Sequence, residues 1–434
     1  MRTTREFTLK DPKDFKIKLL QWSGQFNEVA WLDSNDYSRH HSRYDAILAI
    51  EAFTALKTDY LNAFDQLNEY QHTTKDWIFG YLSYDLKNDI EKLSSRNFDG
   101  LHFPDLYFFQ PQKLFFLKGD KLQVKYLRMV EEEIDSDMRK ILDFPIRNPF
   151  SENENIAIPI IKTRISQQKY LQKVADMLRH IHRGDIYEAN FCQEFYAENT
   201  AINPLQVFKN LNDISVPPFA VFLKLENYFL LSASPERYLQ KSGSEIMSQP
   251  IKGTARRSSN PVEDLEIATR LENDSKERSE NVMIVDLVRN DLSRIAQKGS
   301  VKVEELCKVY TFKQVHQMIS TITACVENGI PPVEVLRSTF PMGSMTGAPK
   351  ISAMKIIEAL EETKRGLYSG AVGYFDPEGD FDFNVVIRSI LYNSSGNYVS
   401  FSVGGAITAR SVPEKEYEEC MLKAEAMRLA LTKA

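Results

Sequence analysis

The sequence predicts a mixed α/β (α+β) fold. Three observations lead there: an amphipathic helical pattern with both ends marked between Ser166 and Gly184, a strand hairpin around Phe219–Ser232, and further capped helices alternating with strands to the C-terminus. At 434 residues the chain is long enough for two or three domains of roughly 100–200 residues each. The polar stretch Asn148 to Asn155 has loop composition and is the expected boundary, giving residues 1–150 and 151–434.

In the first part, Val29–Asp33 reads as a strand running into a turn, residues 45–70 as a helix, and the aromatic-rich Asp105–Lys118 as a strand. Ser166 is a helix N-cap, Tyr170, Leu171, Val174, Met177, Leu178 and Ile181 form an apolar stripe of period 3.6, and Gly184 stops the helix. Ile186–Tyr196 alternates an apolar face with one carrying Glu188, Asn190, Cys192 and Glu194, which meets solvent or lines a site. The hairpin delivers Glu236. Asn260-Pro261-Val262-Glu263 starts a helix expected to reach about Ser275, with a second over Glu280–Ile295. Gly347–Lys350 opens a helix to about Lys364, Gly370–Phe375 and Phe383–Tyr392 read as strands, and a last helix begins near Pro413.

Hydrophobic residues at 43% and charged residues at 26% are ordinary for a globular protein, and a net charge of −6 is no electrostatic match for nucleic acid. No apolar run approaches the ~20 residues of a membrane span, and the N-terminus has no secretory pattern. Cys192, Cys307, Cys325 and Cys420 are too scattered for a disulfide framework or zinc site, so a cytoplasmic location is expected. His180/His182 and His40/His41 read as structural or surface pairs.

Five constellations carry chemistry. Lys252 lies in Pro250-Ile251-Lys252-Gly253-Thr254, with stiff backbone before it and permissive backbone after it, downstream of Ser234-Pro235-Glu236-Arg237. A glutamate and a lysine on neighbouring strands can act as acid and nucleophile, provided the lysine is held neutral. Glu416, Glu419 and Lys423 share one helical face, whose two acids offer oxygen ligands to a hard cation, whereas a plain helix would use all three as a solvated surface. Glu280, Asp286, Arg289 and Asp291 punctuate a very apolar helical stretch; an internal ion-pair network suits all but Glu280. Gly343-Ser344-Met345-Thr346-Gly347-Ala348-Pro349-Lys350 lacks P-loop spacing and suits a carboxylate better than a triphosphate. Gly404 and Gly405 let a ligand approach a strand closely, and Arg388 suits a fork-like carboxylate contact.

In this order, these motifs resemble the chorismate-utilising enzymes over roughly residues 160–430. The resemblance implies two packed, mostly antiparallel sheets flanked by helices, with a smaller N-terminal portion like that of anthranilate synthase component I. It implies Mg²⁺ held by Glu280 and Glu419, with Glu416 direct or through water. Substrate contacts would come from Arg388, Tyr368, Gly404, Gly405, Ser344, Thr346 and Lys423, and His316 would lie near the reacting ring. Lys at 252 resembles the aminodeoxychorismate synthase branch, where it is a covalent nucleophile; anthranilate synthases typically have alanine. That branch implies chorismate and ammonia as substrates, a separate glutamine amidotransferase subunit as the ammonia source, and a product on the way to p-aminobenzoate and folate. Anthranilate synthase component I and a non-catalytic partner protein are the alternatives. Glu188, where relatives that aminate usually have glutamine and those that add water have lysine, departs from the pattern, as does Arg410. The implied chemistry asks for a raised pKa at Glu236 and a lowered one at Lys252.

Overall fold

The computed structural model describes residues 2–35, 37, 43–146 and 158–433. The expected boundary stretch and the His40/His41 pair lie largely or wholly outside these. Every strand ladder among the described residues is antiparallel. The ladders form two wings joined through the long partners Ala46–Thr58 and Leu106–Lys118. The first wing runs through Glu28–Asp33, Phe219–Leu225, Tyr228–Ser234, Ser389–Asn393 and Tyr398–Thr408 to Glu188–Ala197. The second runs through Ile78–Leu82, Ala371–Phe375, Phe381–Val385, Arg237–Ser242 and Glu245–Gln249 to Val315–Cys325. Strands of both 1–146 and 158–433 therefore share each wing.

The wings pack face to face, because their strands are apolar on both sides. In Ala371–Phe375, Val372 and Tyr374 point into the layer between the wings, while Ala371 and Phe375 join the layer under the helices Ala63–Thr74, Ser275–Ser293 and Pro332–Thr339. On the first wing, Leu230 faces inward and Leu231 faces the helices Gln167–Arg183, Pro204–Ser215 and Pro413–Thr432. The order is helices, sheet, sheet, helices, as strands buried on both faces require.

Helix Gln167–Arg183 begins and ends as its sequence predicts: Ser166 Oγ accepts from Lys169 N–H, and Gly184 takes φ 88°. The helix expected over 45–70 is instead a strand, Ala46–Thr58, followed by a helix, Ala63–Thr74. Ala46–Ile50 is rich in helix formers, but it is fully buried between two partner strands, and that burial overrides local propensity. The break between the two helices after Asn260 comes earlier than expected, since Asp274 caps Ser275–Ser293 by accepting from Lys276 and Glu277 N–H. Helix Lys350–Leu360 is shorter than expected, and the strand over Phe383–Tyr392 is split at Val386–Arg388.

A buried clamp fixes the region where the site forms. Arg365 donates to Glu361, to Met345 O at 2.7 Å and to Asn190 O at 2.8 Å, while Glu361 Oε1 also accepts from Cys192 N–H. Replacing Arg365 by methionine leaves Glu361 charged and uncompensated. It is expected to destabilise the fold by ~3–5 kcal/mol in urea unfolding, with the double change E361Q/R365M losing less than the sum of the two single changes.

Candidate active site

The chain crosses from one wing to the other twice at the same place. Pro235-Glu236 links Tyr228–Ser234 to Arg237–Ser242, and Val386–Arg388 links Phe381–Val385 to Ser389–Asn393. The crossings are stitched together by Val385 N–H to Glu236 O at 3.0 Å and Ala233 N–H to Arg388 O at 3.1 Å. Arg388 takes φ 53°, unusual for a residue with a side chain. Its half-buried guanidinium has no hydrogen bond or ion pair among the described residues, and burial lowers its pKa.

Glu236 is buried, and Ser344 Oγ donates to its Oε1 at 2.7 Å. Burial pushes its pKa up to about 7, with the Ser344 hydrogen bond and the Lys252 charge working the other way. Lys252 sits where the pairing of Ile251–Arg256 with Val315–Cys325 shifts register, at a bulge beside Gly253, whose φ is 90°. A bulge turns a side chain out of the regular pleat. Lys252 Nζ lies 3.4 Å from Glu188 Oε1. Burial works to lower its pKa, but Glu188, Glu280 and Glu236 outweigh burial and raise it. The expectation of a lowered value is therefore reversed here, because three carboxylates surround one ammonium.

Glu280 faces the same group from helix Ser275–Ser293. Burial pushes its pKa up to about 7 against Lys252 and Lys276. Its Oε1 is buried without a hydrogen-bond partner, and Lys276 Nζ remains 3.8 Å away. On helix Pro413–Thr432, burial raises the pKa of Glu416, whereas at Glu419 the neighbouring Lys423 overrides burial and lowers it. Lys423 Nζ lies 2.5 Å from Glu419 Oε1 and donates to Gly404 O at 3.2 Å. A Cβ at Gly405 would stand 3.4 Å from Glu416 Oε2 and 3.9 Å from Glu419 Oε1, so this strand position lies directly against both carboxylates.

Among the described residues, no three acidic, histidine or cysteine side chains are spaced to enclose a metal ion by themselves. The donor set nonetheless suits Mg²⁺: hard carboxylate oxygens, one of them buried and unpartnered, for an ion that takes one or two carboxylates and completes its shell with water and substrate.

Other expected residues have different tasks. His316 is not brought to the Glu236–Lys252 group. Its ring nitrogens are engaged by Thr311 Oγ1 at 2.9 Å and Asp264 Oδ1 at 3.0 Å, and it pairs across from Ala255, three residues beyond Lys252. Thr346 spends its hydroxyl on the loop's own carbonyls. The glycine loop packs against strand Glu188–Ala197 rather than presenting a row of free N–H groups: Asn190 N–H donates to Thr346 O, and Tyr187 N–H to Ala348 O. Lys350 turns inward to Asp291 at 2.6 Å. Tyr368 is buried and accepts from Cys192 Sγ at 3.5 Å. Asp286 pairs with Arg289 on the surface, and Arg410 is exposed in the turn before the last helix. Lys276 and Glu277 were missed by sequence reasoning. They lie in the helix's first turn, and the early Asp274 cap was the signal that would have found them. A Cβ at Gly253 would lie 3.2 Å from Glu277 Oε2.

The chain matches the family described as chorismate binding enzyme over residues 26–429. It is similar to aminodeoxychorismate synthase component 1 of Escherichia coli (strain K12), 41% identical over 258 residues, which is 59% of this chain and 56% of that one. It is also similar to the component 1 protein of Bacillus subtilis (strain 168), 30% identical over 375 residues, 81% of this chain and 76% of that one. The match thus spans little more than half the length of the first relative. Among solved structures, anthranilate synthase component I from Streptococcus pneumoniae TIGR4 superposes with a TM-score of 0.77 at 26% identity, covering 90% of this chain and 93% of that one. The menaquinone-specific isochorismate synthase of Escherichia coli reaches 0.77 at 16% identity, covering 99% of this chain and 94% of that one, and shows the fold alone.

Charging Glu236 in the folded protein is unfavourable, because its pKa rises from 4.5 to about 7. The cost is absent below pH ~4.5, grows as pH rises toward 7 and then levels off at roughly 3 kcal/mol. Without ligand, Glu236→Gln is expected to gain stability over the parent at pH 8 by ~1–3 kcal/mol, and much less at pH 5. Urea unfolding at the two pH values measures this.

Proposed function

Because this chain belongs to the chorismate binding enzyme family, we propose that it is the chorismate-aminating component of an aminodeoxychorismate synthase. It converts chorismate and ammonia to 4-amino-4-deoxychorismate. The observation that carries this reading is the buried group in which Glu236, hydrogen-bonded by Ser344, acts through space on Lys252, with Glu280 on the other side. The similarity to the two component 1 proteins supports the branch.

Glu236, about half protonated near pH 7 and more so below it, gives its proton to the C4 hydroxyl, which leaves as water. Lys252 bonds to C2 as both ring double bonds shift. Ammonia then adds at C4, both double bonds shift back, and the C2–lysine bond breaks. Bound Mg²⁺ would anchor the ring carboxylate and offset its charge, held by Glu280 and Glu419 with Glu416 in support. Arg388, with no hydrogen bond or ion pair among the described residues, takes a substrate carboxylate, beside Tyr368, Lys423 and the backbone at Gly404 and Gly405. His316 and Thr346 have no direct part in this scheme. The ammonia source is a separate glutamine amidotransferase subunit, and the compartment is the cytoplasm. Residues 1–150 form the smaller, anthranilate synthase component I-like portion, and residues 151–434 the chorismate-binding one.

Purified protein given chorismate, Mg²⁺ and ammonium is expected to form 4-amino-4-deoxychorismate, read by a separate lyase that releases p-aminobenzoate. Anthranilate as the product sinks the assignment. Lys252→Ala should lose at least ~10²-fold in amination, and chelation of Mg²⁺ should abolish it. The rate should fall as pH rises through about 7, where Glu236 gives up its proton. In Ser344→Ala, which removes the hydrogen bond favouring the carboxylate, that fall should move to higher pH.

A further inference from the structure

Lys252 cannot attack while it carries its proton, and the proton needs a destination inside a buried site. We propose that Glu188 is the proton acceptor that converts Lys252 to a nucleophile. The inference rests on the reading above and adds to it a residue with a defined task.

The geometry narrows the choice. The groups acting on Lys252 are Glu188 from its strand, Glu236 from the wing crossing, Glu277 and Glu280 from helix Ser275–Ser293, and Glu419 from the last helix. Glu236 must already hold a proton to act as acid. Glu280 and Glu419 are the proposed metal ligands, and Glu419 is paired with Lys423. Glu277 lies against the backbone at Gly253. Glu188 is left, and of these five it alone has an oxygen within 4 Å of Lys252 Nζ, at 3.4 Å. It is 1% exposed, and its second oxygen, Oε2, has no hydrogen-bond partner. Its backbone is pinned by pairing to Thr408 on one side and Ala348 on the other, so the carboxylate is held in place.

Moving one proton along the Lys252–Glu188 contact turns two buried charges into two neutral groups. A substrate that displaces water makes that exchange more favourable. The cycle balances. Glu188 carboxylate takes a proton from the ammonium, the freed lone pair forms the N–C2 bond, and the C4 oxygen leaves with the proton of Glu236 as water. After ammonia adds at C4, lysine departs as a neutral amine. The new C4 ammonium returns a proton to Glu236, and Glu188 returns its proton to Lys252.

The test mixes parent, E188Q, E188D and K252A proteins with chorismate and Mg²⁺ while ammonium is withheld. Rapid quench and intact-mass spectrometry follow the adduct of chain plus chorismate less one water. At pH 7, E188Q should form it ~10²-fold more slowly than the parent. The parent-to-E188Q ratio should shrink about tenfold per pH unit, as the lysine proton passes to solvent instead. E188D, which keeps a proton acceptor, should recover part of the rate. Circular dichroism and urea unfolding of E188Q and E188D show that the variants fold. An E188Q adduct rate equal to the parent's, or a ratio that does not change with pH, overturns the inference and leaves the proposed function standing. Absence of adduct in the parent, or its persistence in K252A, overturns both.

Discussion

Two sheets that exchange strands at one point govern this molecule. At the crossings, Pro235-Glu236 and Val386–Arg388 belong to neither pleat, and two backbone hydrogen bonds, Val385 N–H to Glu236 O and Ala233 N–H to Arg388 O, hold the departing strands together. A side chain within a ladder must face one of the packed layers. A side chain at a crossing need not, so this is where a fold buried on both faces of both sheets can place polar groups. Glu236 and Arg388 occupy those positions. The Arg365–Glu361 clamp then fixes the neighbouring loop and strand against them, through Met345 O, Asn190 O and Cys192 N–H. Its polar groups are well satisfied, as a buried ion pair must be if it is not to cost more than it contributes.

The site is unbalanced in charge. Glu188, Glu236, Glu277, Glu280, Glu416 and Glu419 face Lys252, Lys276 and Lys423. Burial raises the pKa of Glu236, Glu277, Glu280 and Glu416, which means that the protein by itself does not compensate all of this negative charge. An anionic substrate would worsen the imbalance. A divalent cation held there would correct it and would engage the Glu280 oxygen that has no hydrogen-bond partner among the described residues. The same imbalance explains why the pKa of Lys252 is raised, contrary to the lowered value expected of a lysine nucleophile.

Much of the site was legible because its residues punctuate simple patterns. Glu280 interrupts an apolar helix, Arg388 an apolar strand, and Lys252 follows Pro250 and precedes Gly253. These are local anomalies, and a sequence shows them. The helix ends at Ser166 and Gly184 were equally local, set by one hydroxyl and one glycine. Tertiary causes were harder to read. Ala46–Thr58 looks helical until two partner strands bury it, and Thr346 looks available until the loop folds onto its own carbonyls. The contacts of His316 to Thr311 and Asp264 were likewise not readable from its motif.

Arg388 joins fold and chemistry. The split of the expected strand at Val386–Arg388 leaves the chain in a left-handed conformation at a residue that does not favour it. Such backbone costs of order 1–3 kcal/mol and persists only where its surroundings enforce it. Here the enforcement is the crossing itself. The strained turn lifts a guanidinium out of the ladder and leaves it without a counter-ion among the described residues, so the protein carries both a backbone cost and a desolvation cost at one position. A substrate carboxylate would relieve the second of these. A carboxylate bound at Arg388 would therefore recover energy already invested in folding, beside the crossing that also carries Glu236.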